Sequence, residues 1–205
     1  CYMDSLASLE IPAMGYGIRY EFGIFDQEIR DGWQQEISDK WLRFGNPWEI
    51  ARPHAVCYVK LGGHTEKYTD DMGRFRVRWI SDRIINGVPY DTPTSGYMNN
   101  TANTLRLWKA EAPESLNLSA FNQGDYVGAV TDKIFSESVS KVLYPSDNNS
   151  AGRRLRLEQQ FFFVSCSLQD LIRFHMHEGD GIESLSEKFA VQLNDTHPSI
   201  GIAEM

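Results

Sequence analysis

Three polar side chains near the end of the sequence combine groups that can act on a sugar or a phosphate. In the segment VQLNDTHPSI, Asn194, Asp195 and His197 supply an amide, a carboxylate and an imidazole. Such groups hydrogen-bond hydroxyl groups or orient one another in acid-base catalysis. The alternative is that Asp195 and Thr196 cap a following helix and His197 is buried in the core. Spacing alone supports both interpretations equally.

A second polar segment, YPSDNNSAG, lies between two predicted helices. It contains Asp147, Asn148 and Asn149 together with Pro145 and Gly152, and residues of these types dominate turns for backbone reasons. The functional alternative is a mobile, polar gate beside a ligand. Residue chemistry alone favours the ordinary turn.

Three arginines, Arg19, Arg52 and Arg106, stand in otherwise apolar or aromatic strands or turns. An arginine in such a setting usually pairs with a carboxylate such as Glu21, and less often binds a ligand phosphate through two hydrogen bonds. We therefore expect ion pairs first and a phosphate site second.

Metal and nucleotide chemistry have little support in the sequence. His175 and His177 are two positions apart, which places them on different faces of a helix, so we expect surface histidines near a helix end and no metal site. The glycines of GYGIRYEFGIFDQ (residues 15–27) precede a predicted strand, whereas those of a dinucleotide-binding loop precede a helix. Walker A, HExxH, GxSxG and EF-hand patterns are absent from the sequence.

The composition is that of an ordinary globular protein, with 41% hydrophobic and 23% charged residues among 205. A net charge of -8 argues against a nucleic-acid partner. No apolar run is long enough to cross a bilayer, and the three cysteines show no CxxC spacing. We expect a cytoplasmic protein without a membrane partner and, because helical patterns are cut at both ends, a fragment.

The apolar periodicity predicts the elements that must position these groups. Period-two alternation between Gly-rich and Asp-rich turns predicts antiparallel strands over about residues 55–108. Before them we expect the end of a helix at residues 1–13, a strand at residues 14–25, and loop with short helix at residues 27–49.

Two helices and one strand complete the prediction. Amphipathic spacing predicts a helix over about residues 126–142, with Asp125 as a candidate N-cap. Good helix formers predict a long helix over about residues 153–178. The segment FAVQLNDTHP (residues 189–198) predicts a buried parallel strand, whose carboxyl end would deliver polar side chains to a ligand crevice.

Several blocks of the sequence also occur, in the same order, in one enzyme family. They are MDSLASL with GYGIRYEFGIFDQ, FGNPWEIARP, PYDTP with GYMNNTANTLRLWKA, FNQGDY, VLYPSDN, LRLEQQFFFVSCSLQDLIR and VQLNDTHPSI. Through these blocks the chain resembles the α-glucan phosphorylases, which include glycogen, starch and maltodextrin phosphorylases. The resemblance extends from Cys1 to the last residues.

The resemblance implies a fold and a reaction. The fold is α/β: part of one Rossmann-like lobe of a GT-B glycosyltransferase, with an antiparallel β region, so that residues 1–205 would form part of the amino-terminal lobe. The reaction is reversible phosphorolysis of α-1,4-glucan by inorganic phosphate to α-glucose 1-phosphate. The cofactor is pyridoxal phosphate, whose phosphate group relays a proton. No segment here matches the block with the cofactor lysine, so the resemblance places that lysine outside this chain.

The resemblance also assigns roles to residues. Asp147 and Asn148 match the active-site gate loop, and Asn194, Asp195 and His197 match a block that lines the catalytic cleft, where they would position and hydrate the substrate. The helix at residues 126–142 resembles the tower helix of a homodimer, with Val127, Val130, Ile134 and Val142 at the interface. We expect residues 21–25 to pack near the gate loop and this helix.

Effector control is less well matched. Arg52 and Arg106 match positions near the effector pocket of animal members, and Arg173 matches the first of two consecutive arginines there, but Phe174 replaces the second. The loss of one guanidinium removes a phosphate clamp and argues against AMP control. A second hypothesis, a noncatalytic glucan-binding or interaction module, rests on the 12% aromatic content.

Overall fold

The computed structural model describes residues 1–177, 179, 181–194, 202 and 205. Within them the chain is a mixed α/β structure, and three short 3-10 turns accompany its helices and strands. In chain order these elements are α1 (Tyr2–Ser8), β1 (Met14–Ile18), β2 (Asp26–Arg30), β3 (Trp33–Ile37), β4 (Ile50–Ala51), β5 (Cys57–Leu61), β6 (His64–Thr69), β7 (Phe75–Ile80), β8 (Arg83–Ser95), β9 (Ala102–Glu111), α2 (Leu118–Asn122), α3 (Thr131–Ser138), α4 (Ser150–His177) and α5 (Leu185–Lys188).

The central sheet places β1, β9 and β8 side by side, with β4 and β5 both paired to the far edge of β8. Strands β8 and β9 are antiparallel, whereas β1 runs parallel to β9 with Met14 opposite Thr104. Two hairpins, β2–β3 and β6–β7, form separate two-stranded sheets. The period-two segments of the sequence therefore form antiparallel strands. The strand predicted over residues 14–25 is β1, but it ends at Ile18.

The core lies where α4 packs on this sheet. Val59, Ile85 and Trp108 from the strands and Phe162 and Cys166 from α4 are all fully buried. Apolar side chains of this size stabilise a fold by about 1.5–3 kcal/mol each when they are fully removed from water. This cluster fixes the helix to the sheet.

Helix α4 has 28 residues and confirms the predicted long helix. Its buried Gln159, Phe162, Cys166 and Asp170 recur every three or four positions, which is the period of a helix with one face against a sheet. Among the described residues, no helix has both the length and the apolar character that a membrane crossing requires.

Residues 26–37 form the β2–β3 hairpin, so the prediction of loop and short helix there was wrong. Asp31 and Gly32 connect the strands with φ values of 52° and 82°. Positive φ at both central positions is typical of a type I′ turn, whose twist matches that of the flanking strands. The Asp-Gly pair is itself a hairpin signal that the prediction overlooked.

The helix predicted over residues 126–142 is shorter than expected. Gly128–Val130 is a 3-10 turn, and the α-helix that follows ends at Ser138. Asp125 caps the 3-10 turn, because its Oδ1 accepts a hydrogen bond from the backbone N–H of Gly128 at 2.8 Å.

The helix ends early because the next carbonyl groups have other partners. The carbonyl oxygen of Ser140 accepts from the N–H of Glu21 at 3.0 Å, and that of Lys141 accepts from the N–H of Phe22 at 2.9 Å. Phe22 and Val142 form an isolated parallel bridge. The chain is therefore extended at this point and cannot continue the helical hydrogen-bond pattern.

The final predicted strand is not a strand over residues 189–194. Val191 and Leu193 are 64% and 50% exposed, where a buried parallel strand would cover both. A parallel strand needs a neighbour to pair its backbone groups, and none of the described strands pairs with this segment. The remainder of the predicted strand lies outside the described residues.

A substitution at Gly87 tests the packing of α4 on β8. A Cβ atom at this position would lie 2.3 Å from Cys166 Sγ. We therefore expect Gly87→Ala to lower the free energy of unfolding by about 1–3 kcal/mol, measured by chemical denaturation.

The double variant Gly87→Ala, Cys166→Ala removes the sulfur that the new methyl group meets and should be more stable than Gly87→Ala alone. Gly181→Ala is the control, since its Cβ would meet only the flexible end of Glu183. Equal stability of Gly87→Ala and the wild type would show that the contact is not tight.

Candidate functional site

Residues 144–149, which we call the gate loop after the role that the resemblance predicts for them, begin at a point that is held by the amino-terminal part of the chain. Beyond the bridge between Phe22 and Val142, the carbonyl oxygen of Phe22 accepts from the N–H of Leu143 at 3.4 Å. Lys141 Nζ lies 2.5 Å from Glu21 Oε2. The expected packing near the gate loop is therefore confirmed for Glu21 and Phe22.

A buried glutamine of α4 holds the same point from the other side. Gln159 is 3% exposed, and its Nε2 donates to the carbonyl oxygen of Val139 at 3.0 Å and to that of Val142 at 3.2 Å. Both carbonyl groups lie where the chain has left α3, so their helical partners are missing. Gln159 supplies the donors that would otherwise be absent.

The other end of the gate loop is the start of α4. Asn149 Oδ1 accepts from the N–H of Gly152 at 2.8 Å, the geometry of a helix N-cap. The loop also lies close against this first turn, because a Cβ atom at Gly152 would be 1.8 Å from the carbonyl oxygen of Ser146. Only glycine allows the loop to return so near to the helix.

Asp147 lies between these two ends and pairs with a side chain of α4. Its carboxylate forms an ion pair with Arg156. The side chain of Asp147 is 46% exposed and that of Arg156 is 19% exposed, so the carboxylate still reaches solvent. Asn148 is exposed beside it. The loop thus presents an amide and a paired carboxylate, which can donate to or accept from a hydroxyl group or bound water.

The second group of predicted site residues is described only in part. Asn194 is exposed at the end of the segment without regular structure, and Asp195 and His197 lie outside the described residues. The predicted convergence of these three residues with the gate loop stays a prediction.

The arginines proposed as effector candidates come together in one cluster. Arg106 Nε and Nη2 donate to the two carboxylate oxygens of Asp91 at 2.7 and 2.8 Å, and its Nη1 donates to Asp170 Oδ2 at 2.7 Å. Arg52 also donates to Asp91, at 3.2 Å, and Arg173 donates to Asp170, at 2.8 Å. We call these five residues the arginine cluster.

The electrostatics of the cluster follow from burial and paired charges. Burial raises the pKa of Asp91, but hydrogen bonds and charge from Arg106 and then Arg52 outweigh it and hold the pKa below its usual value. The hydrogen bond from Arg106 to Asp91 raises the pKa of Arg106. Three guanidinium groups face two carboxylates, so the cluster keeps one excess positive charge.

Tyr16 connects the cluster to β1. Its hydroxyl group donates to Asp170 Oδ2 at 2.9 Å. Burial, followed by the negative charge of Asp170, raises the pKa of Tyr16 above its usual value. The tyrosine therefore stays a neutral donor. Asp170 receives hydrogen bonds from Tyr16 on β1, Arg106 on β9 and Arg173 on its own helix.

Arg19, directly after β1, pairs with a different carboxylate from the one predicted. Arg19 donates to Glu49 at 2.9 and 2.5 Å and stacks over the ring of Tyr90 at 4.1 Å, while Glu21 pairs with Lys141. The prediction of an ion pair at Arg19 was right in kind, but Glu21 is not the partner.

The prediction of a surface position was wrong for His175. Its side chain is fully buried, and its Nε2 lies 2.9 Å from the carbonyl oxygen of Gly181 and 3.1 Å from Ser184 Oγ. The residues after α4 fold back over it, which helical spacing alone does not reveal. His177 is exposed as predicted. In the described part of the chain, no His, Cys, Asp and Glu side chains form a group suited to a metal ion.

Sequence reasoning missed three residues that hold these regions together: Asp91, Asp170 and Arg156. Asp91 occupies an inward position of β8, and Asp170 continues the buried face of α4, so each had a signal as a charged residue on an apolar stripe. Arg156 had no such signal.

Comparisons with known proteins agree on one family. The family model described as carbohydrate phosphorylase matches residues 1–205. A glycogen phosphorylase from Synechocystis is 65% identical over 205 residues, and the human liver form is 48% identical over 213. A glycogen phosphorylase from Chlamydia pneumoniae is 46% identical over 205 residues. These alignments cover 100% of this chain but only 24% to 25% of each relative, so the chain spans about a quarter of their length.

Replacing Asp91 tests the arginine cluster. Because its pKa in the folded state lies below the unfolded value of about 3.9, the ionised carboxylate stabilises the fold above about pH 4. That contribution is lost as the pH falls further, through the folded-state pKa. We expect Asp91→Asn to cost about 3 kcal/mol at pH 7, since it removes the bidentate partner of the largely buried Arg106 guanidinium group.

The measurement is the melting temperature between pH 3 and 7. Asp91→Asn should lose less stability than the wild type as the pH falls below about 4. Asp71→Asn, in the exposed turn between β6 and β7, is the control and should follow the wild type. An Asp91→Asn profile parallel to that of the wild type would contradict the assignment.

Proposed function

Because the chain belongs to the carbohydrate phosphorylase family, we propose that it is part of a longer enzyme that catalyses reversible phosphorolysis of α-1,4-glucan. In this reaction, inorganic phosphate takes the place of the glucan chain at the terminal glucose, and α-glucose 1-phosphate leaves. The observation that carries the proposal is the 65% identity to a glycogen phosphorylase over all 205 residues.

Within that enzyme the chain would be part of the amino-terminal, Rossmann-like lobe of a GT-B fold. The mixed α/β content supports this assignment, as does a long helix packed on a sheet that includes parallel strands. The antiparallel region would then be an extension of the lobe, and a second lobe would complete the catalytic cleft.

Asp147 and Asn148 would shape one wall of the sugar and phosphate pocket. Their loop supports this role because both of its ends are fixed while its centre reaches solvent. Asn194, Asp195 and His197 would line the cleft and hydrogen-bond glucan hydroxyl groups or water. In this assignment the residues of the chain position and hydrate the substrate.

The described lysines do not fit a covalent cofactor site, so the proposed pyridoxal phosphate would bind outside this part of the chain. Its phosphate group would supply the proton relay of the reaction. A cofactor lysine must face an enclosed polar pocket, whereas the lysines here either pair with carboxylates or are exposed. Lys109, Lys133 and Lys141 pair with carboxylates, and Lys40, Lys60, Lys67 and Lys188 lie at the exposed surface.

Dimerisation of the full-length enzyme is proposed from the exposed apolar surface of residues 126–135. Tyr126, Val127, Ile134 and Phe135 are each more than half exposed, and exposed large apolar side chains of this kind are typical of interaction sites. Of the predicted interface stripe, Val130 and Val142 are half-buried in this chain.

A cytoplasmic location is proposed from the free thiols of Cys57 and Cys166.

For the arginine cluster we propose a structural role before an effector role. Arg106 uses its Nε, Nη1 and Nη2 on carboxylates, which leaves it poorly placed to hold a phosphate. Arg52 and Arg173 are 42% and 46% exposed and keep donors for an anion. Phe174, in place of a second arginine, argues against AMP as that anion.

The proposed reaction is tested with the full-length enzyme. It should release glucose 1-phosphate from maltodextrin only when both phosphate and pyridoxal phosphate are present, measured by a coupled assay for glucose 1-phosphate. Release without the cofactor would contradict the proposal. Retention on a glucan matrix with no glucose 1-phosphate formed would support a noncatalytic glucan-binding module instead.

Asp147→Ala in the full-length enzyme tests the gate loop. We expect kcat/KM for phosphate to fall about tenfold, because small displacements of positioning groups are costly to a reaction. The melting temperature should change little, since an exposed loop residue has few packing contacts to lose. Asp71→Ala is the control. A large melting shift at unchanged activity would identify residues 144–149 as an ordinary turn.

A further inference from the structure

The gate loop is a short arc between two fixed ends. At the first end, Phe22 and Gln159 bind the backbone around Val142. At the second, Asn149 caps α4. Fixed ends limit how far the loop can move, but they do not fully determine where its centre lies. The position of Asp147 therefore also depends on the contacts that its own side chain makes.

The centre of the loop has one such contact in the ion pair between Asp147 and Arg156. Arg156 and Gln159 are three residues apart, so they extend from the same face of α4. That face contacts the loop at two places. Gln159 binds the backbone at the first end of the loop, and Arg156 pairs with the carboxylate of Asp147. Arg156 is 19% exposed, so its stem packs against the protein while its guanidinium group reaches the loop.

A neighbouring arginine on the same helix shows that this arrangement is specific. Arg154 is 70% exposed and pairs with Glu158, one turn along α4. Glu158 also pairs with Arg83 at 3.0 Å, so it keeps a partner if Arg154 is removed. Arg154 thus contributes the same charge to α4, and among the described residues it forms its ion pair with Glu158 and none with the gate loop.

We propose that Arg156 is a positioning residue: it holds Asp147, and through it the gate loop, in the place that shapes the sugar and phosphate pocket. This inference rests on the proposed phosphorolysis. The effect of Arg156 on the reaction passes through Asp147, so the two residues should act as one unit.

A double-mutant cycle in the full-length enzyme tests this dependence, with kcat/KM for phosphate as the measured quantity. We expect Arg156→Met to lower it about threefold, in line with a partly exposed ion pair, and Asp147→Ala about tenfold. The double variant should lose about tenfold, no more than Asp147→Ala alone, whereas independent effects would multiply to about thirtyfold.

Two further variants separate positioning from general stability. Arg156→Lys keeps the charge and should recover most of the lost activity, although it cannot match the geometry of a guanidinium group. Arg154→Met is the matched control and should keep wild-type activity. Melting temperatures of all variants should lie within a few degrees of the wild type.

The outcomes distinguish this inference from the proposed function. If the wild-type enzyme forms no glucose 1-phosphate, the proposed function and the inference both fail. If the wild type is active but Arg156→Met matches Arg154→Met, or the two losses multiply, the inference alone is overturned. A threefold loss that disappears in the Asp147→Ala background supports it.

Discussion

The buried contact between Arg106 and Asp170 joins helix α4 to the sheet beside the apolar core, and both candidate regions depend on that helix. Asp170 receives hydrogen bonds from Tyr16 on β1, from Arg106 on β9 and from Arg173 within α4. About three turns toward the amino end, the same helix holds the gate loop through Gln159. The buried carboxylate of Asp170 thus helps to fix α4, which contributes both to the arginine cluster and to the support of the gate loop.

The cost of this arrangement is desolvation, since the side chains of Asp91, Arg106 and Asp170 are only 7% to 14% exposed. Burying charges is favourable only when the geometry is good and the remaining hydrogen-bonding groups are satisfied. The bidentate pairing of Arg106 with Asp91 meets that condition. If α4 were shifted on the sheet, these charges would be buried without partners, at a high cost in free energy. The network therefore favours one arrangement of helix and sheet.

The sequence predicted the strands of the antiparallel region and α4 because their apolar periods are long and regular. The prediction failed at residues 26–37, where the two-residue turn Asp31–Gly32 favours a hairpin although many side chains are charged. It also failed at residues 189–194, because a strand needs a neighbouring strand that the local sequence does not reveal. The gate loop could be located from Asp147 and its neighbours. The role of Arg156 could not, because a polar residue on a helix shows no period that reveals its partner.

The pairing of β1 with β9 also has a consequence for how the chain folds. The hydrogen bond between Ala13 and Asn103 joins residues 90 positions apart, and that between Tyr16 and Asp170 joins residues 154 apart. Contacts of such separation cost loop-closure entropy before they stabilise anything, and they slow folding. During synthesis, β1 must therefore stay unpaired until β9, about 90 residues later in the chain, has left the ribosome.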